Sequence, residues 1–174
     1  MTVSLPDSVS VLGTRSVWVV PKASAADADE ITIADLTAAL KATCYIYNGG
    51  ILTGEQQRGD APRKLCEVKT RQKIGTITES ITDLQYSYHP QLDDADEAND
   101  MKSAMVQSSV VYLVDRKGIL DETAPTVTDY FDVYEVELGY QNRTQTGEDD
   151  QAEYSITQGA SVLNTSYDLQ FAAS

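Results

Sequence analysis

The sequence predicts a mainly β protein: a sandwich or barrel of mostly antiparallel strands with one short flanking α-helix and long loops. Three observations carry this reading. Segments rich in Val, Ile, Tyr, Phe and Trp recur along the chain, Gly, Pro and Asn/Asp turns bound them, and a single stretch has the apolar spacing of a helix. With 174 residues, of which 41% are hydrophobic and 23% charged, the chain is large enough to bury about two-thirds of its unfolded surface. No repeat or low-complexity linker divides it, so residues 1–174 are expected to form a single domain.

The first strand is expected at 16–20, Ser-Val-Trp-Val-Val, closed by Pro21, which has no N–H to give to a ladder. Thr32 followed three residues later by Asp35 is a capping-box pattern. Ile33, Leu36 and Leu40 fall on one face of the helix it opens, and Lys41 suits the negative end of that helix. Residues 43–47 switch to β-branched and aromatic types and read as a strand. Asn48-Gly49-Gly50 marks a turn, and the glycines and proline of 51–62 predict a long exposed loop.

Across 76–88, Ile77, Glu79 and Ile81 share one parity while Leu84, Tyr86 and Tyr88 share the other; a β-bulge near Thr82-Asp83 accounts for the change. An acidic excursion follows His89-Pro90, part helical through Met105. Strands are expected again at 109–114 and 130–140, separated by a turn at Arg116-Lys117-Gly118 and a loop at 121–128. Residues 141–151 are polar and turn-like, and two closing strands, 153–157 and 160–171, break at Gln158-Gly159. Cys44 and Cys66 are the only cysteines and are expected as buried thiols.

The formal net charge of −14, from 13 Lys and Arg against 27 Asp and Glu, is opposite to the basic footprint that grips nucleic-acid phosphates or anionic lipid. No apolar run approaches the roughly 20 residues that span a bilayer, so no membrane binding is expected. Residues 1–13 lack the basic start and apolar core of a secretory signal, which points to synthesis in the cytosol.

Catalytic and metal chemistry finds little support. His89 is the only histidine and would have to carry any histidine-based nucleophile or metal site alone. Counted from Asp94, the sixth position of a calcium loop is Asn99 where glycine is wanted, and the twelfth is Met105 where glutamate is wanted. Gly49, Gly50 and Gly54 are not followed by Gly-Lys-Ser/Thr. Glu135 and Glu137 share a strand parity, a spacing too common to mark an acid–base pair. No enzyme activity and no cofactor are expected.

Three stretches in order carry a resemblance: 33–47, where a helix runs into Cys-Tyr; 76–91, ending Tyr-Ser-Tyr-His-Pro-Gln; and 129–141, Asp-Tyr-Phe-Asp-Val-Tyr-Glu-Val-Glu-Leu-Gly-Tyr-Gln. Together they resemble the major tail tube protein of long-tailed, siphovirus-type bacteriophages, especially those of actinobacteria. The resemblance implies a β-sandwich or barrel that forms hexameric rings and stacks them into a hollow tube. Double-stranded DNA would pass through the bore in transit, and the other partners would be tail proteins such as the tape measure and tail terminator. The protein would be made and assembled in the host bacterial cytoplasm and reside in the virion tail. Two further readings stand beside it: a tube subunit of a phage-derived injection machine, and an unrelated β-sandwich binding or adhesion module.

Charge supplies candidate surfaces for assembly. Residues 58–73 hold Arg58, Arg63, Lys64, Lys69, Arg71 and Lys73 against Asp60 and Glu67, a net charge of +4 that leaves −18 elsewhere. The acidic stretch with Asp93, Asp94, Asp96 and Glu97 is the expected counterpart on a neighbouring copy, a head-to-tail contact that propagates because it does not close. Asp132, Glu135 and Glu137, set within an apolar strand, are the candidates for a lumen wall that repels DNA.

Overall fold

In the computed structural model the described residues are 13–47, 53–60, 72–147 and 152–173, with strand residues 53–60, 72–76, 82 and 83 described by their backbone alone. Seven strands among them form one antiparallel sheet: β1 Arg15–Pro21, β2 Leu40–Lys41, β3 Thr53–Asp60, β4 Gln72–Ser87, β5 Val110–Lys117, β6 Phe131–Thr146 and β7 Glu153–Leu169. Their spatial order is β2-β1-β5-β6-β7-β4-β3. Helices α1, Ile33–Ala38, and α2, Asp100–Ala104, are each little more than one turn.

Both faces of the β1-β5-β6 half are covered, which explains why β1 reads as a continuous apolar run. On the inner face Val17, Val19, Val111, Leu113, Tyr134, Val136 and Leu138 pack with Ile81, Leu84 and Tyr86 of β4, Ile156 of β7, and Met101 and Met105 from the α2 segment. On the opposite, outer face Trp18, Val20, Tyr112, Val114, Phe131 and Val133 lie under Ala25, Ile31, Leu36 and Phe171. Phe131 stacks on Phe171 with ring centroids 4.6 Å apart. The sheet curls until the chain after β2 meets β4: Tyr47 N–H donates to Gln85 O at 2.9 Å and Ser87 N–H to Tyr45 O at 2.8 Å.

Several boundaries depart from the sequence reading. The capping box forms, Thr32 accepting from Asp35 N–H and Asp35 from Thr32 N–H at 2.9 Å. The helix nevertheless stops at Ala38, because Leu40 and Lys41 are drawn into pairing with β1. Residues 43–45 are a turn and not a strand; only Ile46 bridges to Tyr86. Cys44 on that turn is exposed, contrary to the expectation of a buried thiol, and Cys66 lies outside the described residues.

The segment 53–60, expected as a loop, is a strand held by backbone pairing with β4; Gly, Glu, Gln and Arg there offer no apolar alternation to announce it. The bulge foreseen near Thr82-Asp83 lies between Ile81 and Leu84. Arg116 and Lys117 belong to β5 and not to the turn that follows.

Strand β6 continues to Thr146, and β7 runs unbroken through Gln158-Gly159. A bulge at Gly139-Tyr140 sits beside this point, and a Cβ on Gly139 would lie 2.7 Å from Gly159 O. Gln158, buried, fastens the crossing by donating to Gly139 O at 2.8 Å and Met105 O at 3.1 Å. Two glycines, of which only Gly159 read as a break, are what allow β6 and β7 to pass this closely.

Candidate functional site

Which faces of the sheet stay open follows from where the covering layers stop. In β6 every residue from Val133 to Val136 except Glu135 is buried, and alternation begins at the exposed Glu137. Strand pairing fixes which face each residue occupies. Glu137 lies opposite Ser161 and Glu135 opposite Asn164, on the outer face; Asp132 lies opposite Asp115, on the inner face beside Tyr134.

The three lumen candidates therefore sit in different surroundings. Asp132 is an ion-pair partner of Lys117, which also approaches Asp115 at 3.4 Å, and Asp115 is gripped by Arg15 through two bonds of 2.8 Å. Glu135 meets Lys22 at 3.0 Å beneath the segment that covers the outer face. Glu137 alone among the three is exposed, with no cation against it among the described residues.

Around Glu137 the uncovered outer face of β6, β7 and β4 carries hydroxyls, amides and carboxylates. Thr144 bonds with Ser155 and Thr157 at 3.1 Å each, and Gln85 joins Thr146 and Ser155, forming a polar ladder across three strands. Ser161 and Asn164 of β7 lie on the same face. Among the residues whose side chains are described, no Lys or Arg lies on this wall; Lys73 of β4 is placed by its backbone alone. Arg143, opposite the buried Ile156, belongs to the inner-face parity.

Of the basic stretch, Arg63, Lys64, Lys69 and Arg71 lie outside the described residues. Arg58 and Lys73 are placed by their backbone on β3 and β4, where Arg58 faces Ile74 and Lys73 faces Gly59. The acidic stretch follows the other end of β4. There Asp94 pairs with Lys102, Asp96 accepts from Ala98 N–H at 3.0 Å, and Asp93 and Glu97 are exposed.

Buried Asn99, weighed in the sequence only as a calcium-loop position, shapes this acidic loop. Its Oδ1 accepts from His89 N–H at 2.8 Å, and its Nδ2 is shared among the carbonyls of His89, Leu92 and Asp93. An asparagine amid aspartates gives no signal of such a role. His89 itself is exposed, its Nδ1 accepting from Gln91 N–H at 3.3 Å.

Strand β4 pairs with β7 only from Ser80 to Ser87, so residues 72–79 leave the sheet with β3 as a two-stranded arm. Beneath the arm is a cleft of about 420 Å³ lined by Ile77, Glu79, Val162, Leu163, Thr165 and Tyr167. Glu79 accepts from Thr165 Oγ1 and from Tyr167 OH at 2.9 Å. Burial, reinforced by that carboxylate, pushes the Tyr167 phenol up to about 12.

Among the described residues no group of three His, Cys, Asp or Glu side chains is placed to hold a metal, and no helix is long and apolar enough to cross a membrane. A comparison with curated proteins finds no match. The family model described as phage tail tube protein matches residues 3–167. The chain therefore belongs to the phage tail tube proteins, non-enzymatic structural subunits of the virion tail that assemble with copies of themselves and other tail proteins into a tube.

Proposed function

We propose that this chain forms hexameric rings that stack into the tail tube of a long-tailed phage, and that the outer face of β6, β7 and β4 lines a bore through which double-stranded DNA is delivered. The observation that carries this is the chemistry of that wall, with Glu137 exposed among hydroxyls and amides and no cation among its described side chains. DNA carries one phosphate charge per roughly 1.7 Å and adheres to basic surfaces. A wall of this composition offers it no anchoring point and keeps transit fast.

Stacking follows from charge polarity along the subunit. The 16 residues of β4 span roughly 50 Å. The +4 stretch continues from one end of that strand and the acidic loop from the other. Rings placed head to tail bring Arg58, Arg63, Lys64, Lys69, Arg71 and Lys73 of one copy toward Asp93, Asp94, Asp96 and Glu97 of the next. Tape measure and terminator proteins would set the length and end of the tube in the host cytoplasm.

Electron microscopy of the purified protein over a range of concentrations tests the reading. Stacked rings with a central hole are expected, and image averages give their symmetry. A protein that stays monomeric at every concentration, or rings whose bore is narrower than the roughly 20 Å of a DNA duplex, would overturn it.

A further inference from the structure

Among the strand edges without backbone partners in the described residues, two lie on opposite sides of the β3-β4-β7-β6 part of the sheet. The outer edge of β3 pairs with nothing beyond β4, and residues 139–146 of β6 extend past the end of β5 and pair only with β7. Each free edge is eight residues long. Because β3, β4, β7 and β6 alternate in direction, copies related by rotation about an axis roughly along the strands would present β6 of one antiparallel to β3 of the next.

Charge selects the same pairing. Among the seven described Lys and Arg side chains, Arg15, Lys22, Lys41, Lys102, Arg116 and Lys117 each face a carboxylate, whereas Arg143, exposed on the free part of β6, faces none. In the cleft beneath the arm, Glu79 holds two hydroxyl donors and no cation among the described residues. Gly54 of β3 is the residue directly opposite Glu79. It has no side chain to obstruct an arginine reaching over β3 from a strand added at the outer edge. Adjacent strands lie about 4.8 Å apart, so that reach is about 10 Å between Cα positions, within the compass of two long side chains.

We infer that the lateral contact between subunits is an antiparallel addition of residues 139–146 of one copy to the outer edge of β3 in the next, with Arg143 crossing Gly54 to pair with the neighbour's Glu79. The inference rests on the tube reading and names the partner of that surface as a second copy. Such a contact uses two different surfaces, so it closes into a ring when the rotation permits. It also removes these two strand edges from solvent.

The test compares wild type with R143A, R143E, E79R and the R143E/E79R pair, using electron microscopy and sedimentation, with circular dichroism to establish folding. Wild type forming no rings would defeat the tube reading and leave the edge pairing without a host. Given wild-type rings, R143E is expected to raise the concentration for ring formation by about tenfold or more. R143A is expected to raise it less, and the reversed pair to recover most of the loss. If E79R fails to fold, the two Arg143 variants decide alone, Arg143 being exposed. Rings from R143E at the wild-type concentration, or a folded reversed pair that recovers nothing, would overturn the inference.

Discussion

Arg116 and Asp129 meet at 2.9 Å with the guanidinium wholly buried, one end of β5 gripping the last turn before β6. Arg116 also donates to Thr123 O at 2.6 Å and lies over the Trp18 ring, 5.3 Å from its centroid, so one side chain ties the 118–129 loop to the outer-face core. Removing its counter-ion leaves a buried charge unpaired. Asp129→Ala is expected to cost about 3–5 kcal/mol, read as a lower urea midpoint. Arg116→Met should cost less, since Asp129 keeps its bonds from Thr126 N–H and Oγ1. Equal losses in the two variants would show that the contact acts through packing alone.

Gly139→Ala tests the glycine crossing. With the new Cβ 2.7 Å from Gly159 O, a backbone atom that cannot swing aside, β6 and β7 must separate locally. A loss of about 1–3 kcal/mol is expected. Hydrogen exchange should quicken at residues 139–141 and 157–159 while the β1 and β5 amides stay protected. An unchanged midpoint would mean that the bulge absorbs a methyl group freely.

Acid should weaken the fold through carboxyls held below their ordinary range, Asp35, Asp121 and Asp129 among the described residues. The Thr32 hydroxyl and N–H hold Asp35 down. At Asp129 burial pushes upward, but the bonds from Thr126 and Arg116 outweigh it. A group whose folded pKa is depressed contributes fully above its unfolded pKa, about 3.9, and that contribution disappears as pH falls through the folded value. Urea midpoints should therefore be steady from pH 7 to about 5 and fall below 4. Asp35→Asn should flatten part of that fall at a cost near 1 kcal/mol at neutral pH. A variant with the wild-type acid slope would remove Asp35 from the account.

The parts of this architecture visible in the sequence are those where burial imposes a period. Residues 16–20, the parity switch in β4 and the apolar start of β6 are all pressed against one core or the other, so their side chains had to alternate or fill both faces. Strand β3 and residues 141–146 of β6 escaped because two-stranded ribbons and uncovered walls ask only for backbone pairing. The same logic applies to the candidate site. Asp132, Glu135 and Glu137 are close in sequence, but bulges, a covering segment and nearby lysines decide which of them reaches solvent, and those are tertiary facts.

Glu137 is where the lumen proposal can be tested directly. It is exposed and, among the described residues, holds no ion pair, so Glu137→Gln and Glu137→Lys should leave the monomer within about 0.5 kcal/mol of wild type. In rings, however, one lysine per subunit places a belt of positive charge at every level of the bore. Each phosphate held there releases counterions and is bound more tightly at low salt. Tubes of Glu137→Lys should thus assemble normally yet slow DNA release from particles carrying them, with the defect shrinking as salt rises. Glu137→Gln should have a smaller effect of the same sign. Lys117 and Lys22 variants that free Asp132 and Glu135 should not alter release, because those carboxylates face the inner layer and the covering segment. Normal ejection from Glu137→Lys tubes at every salt concentration would place the bore on another face of the sheet.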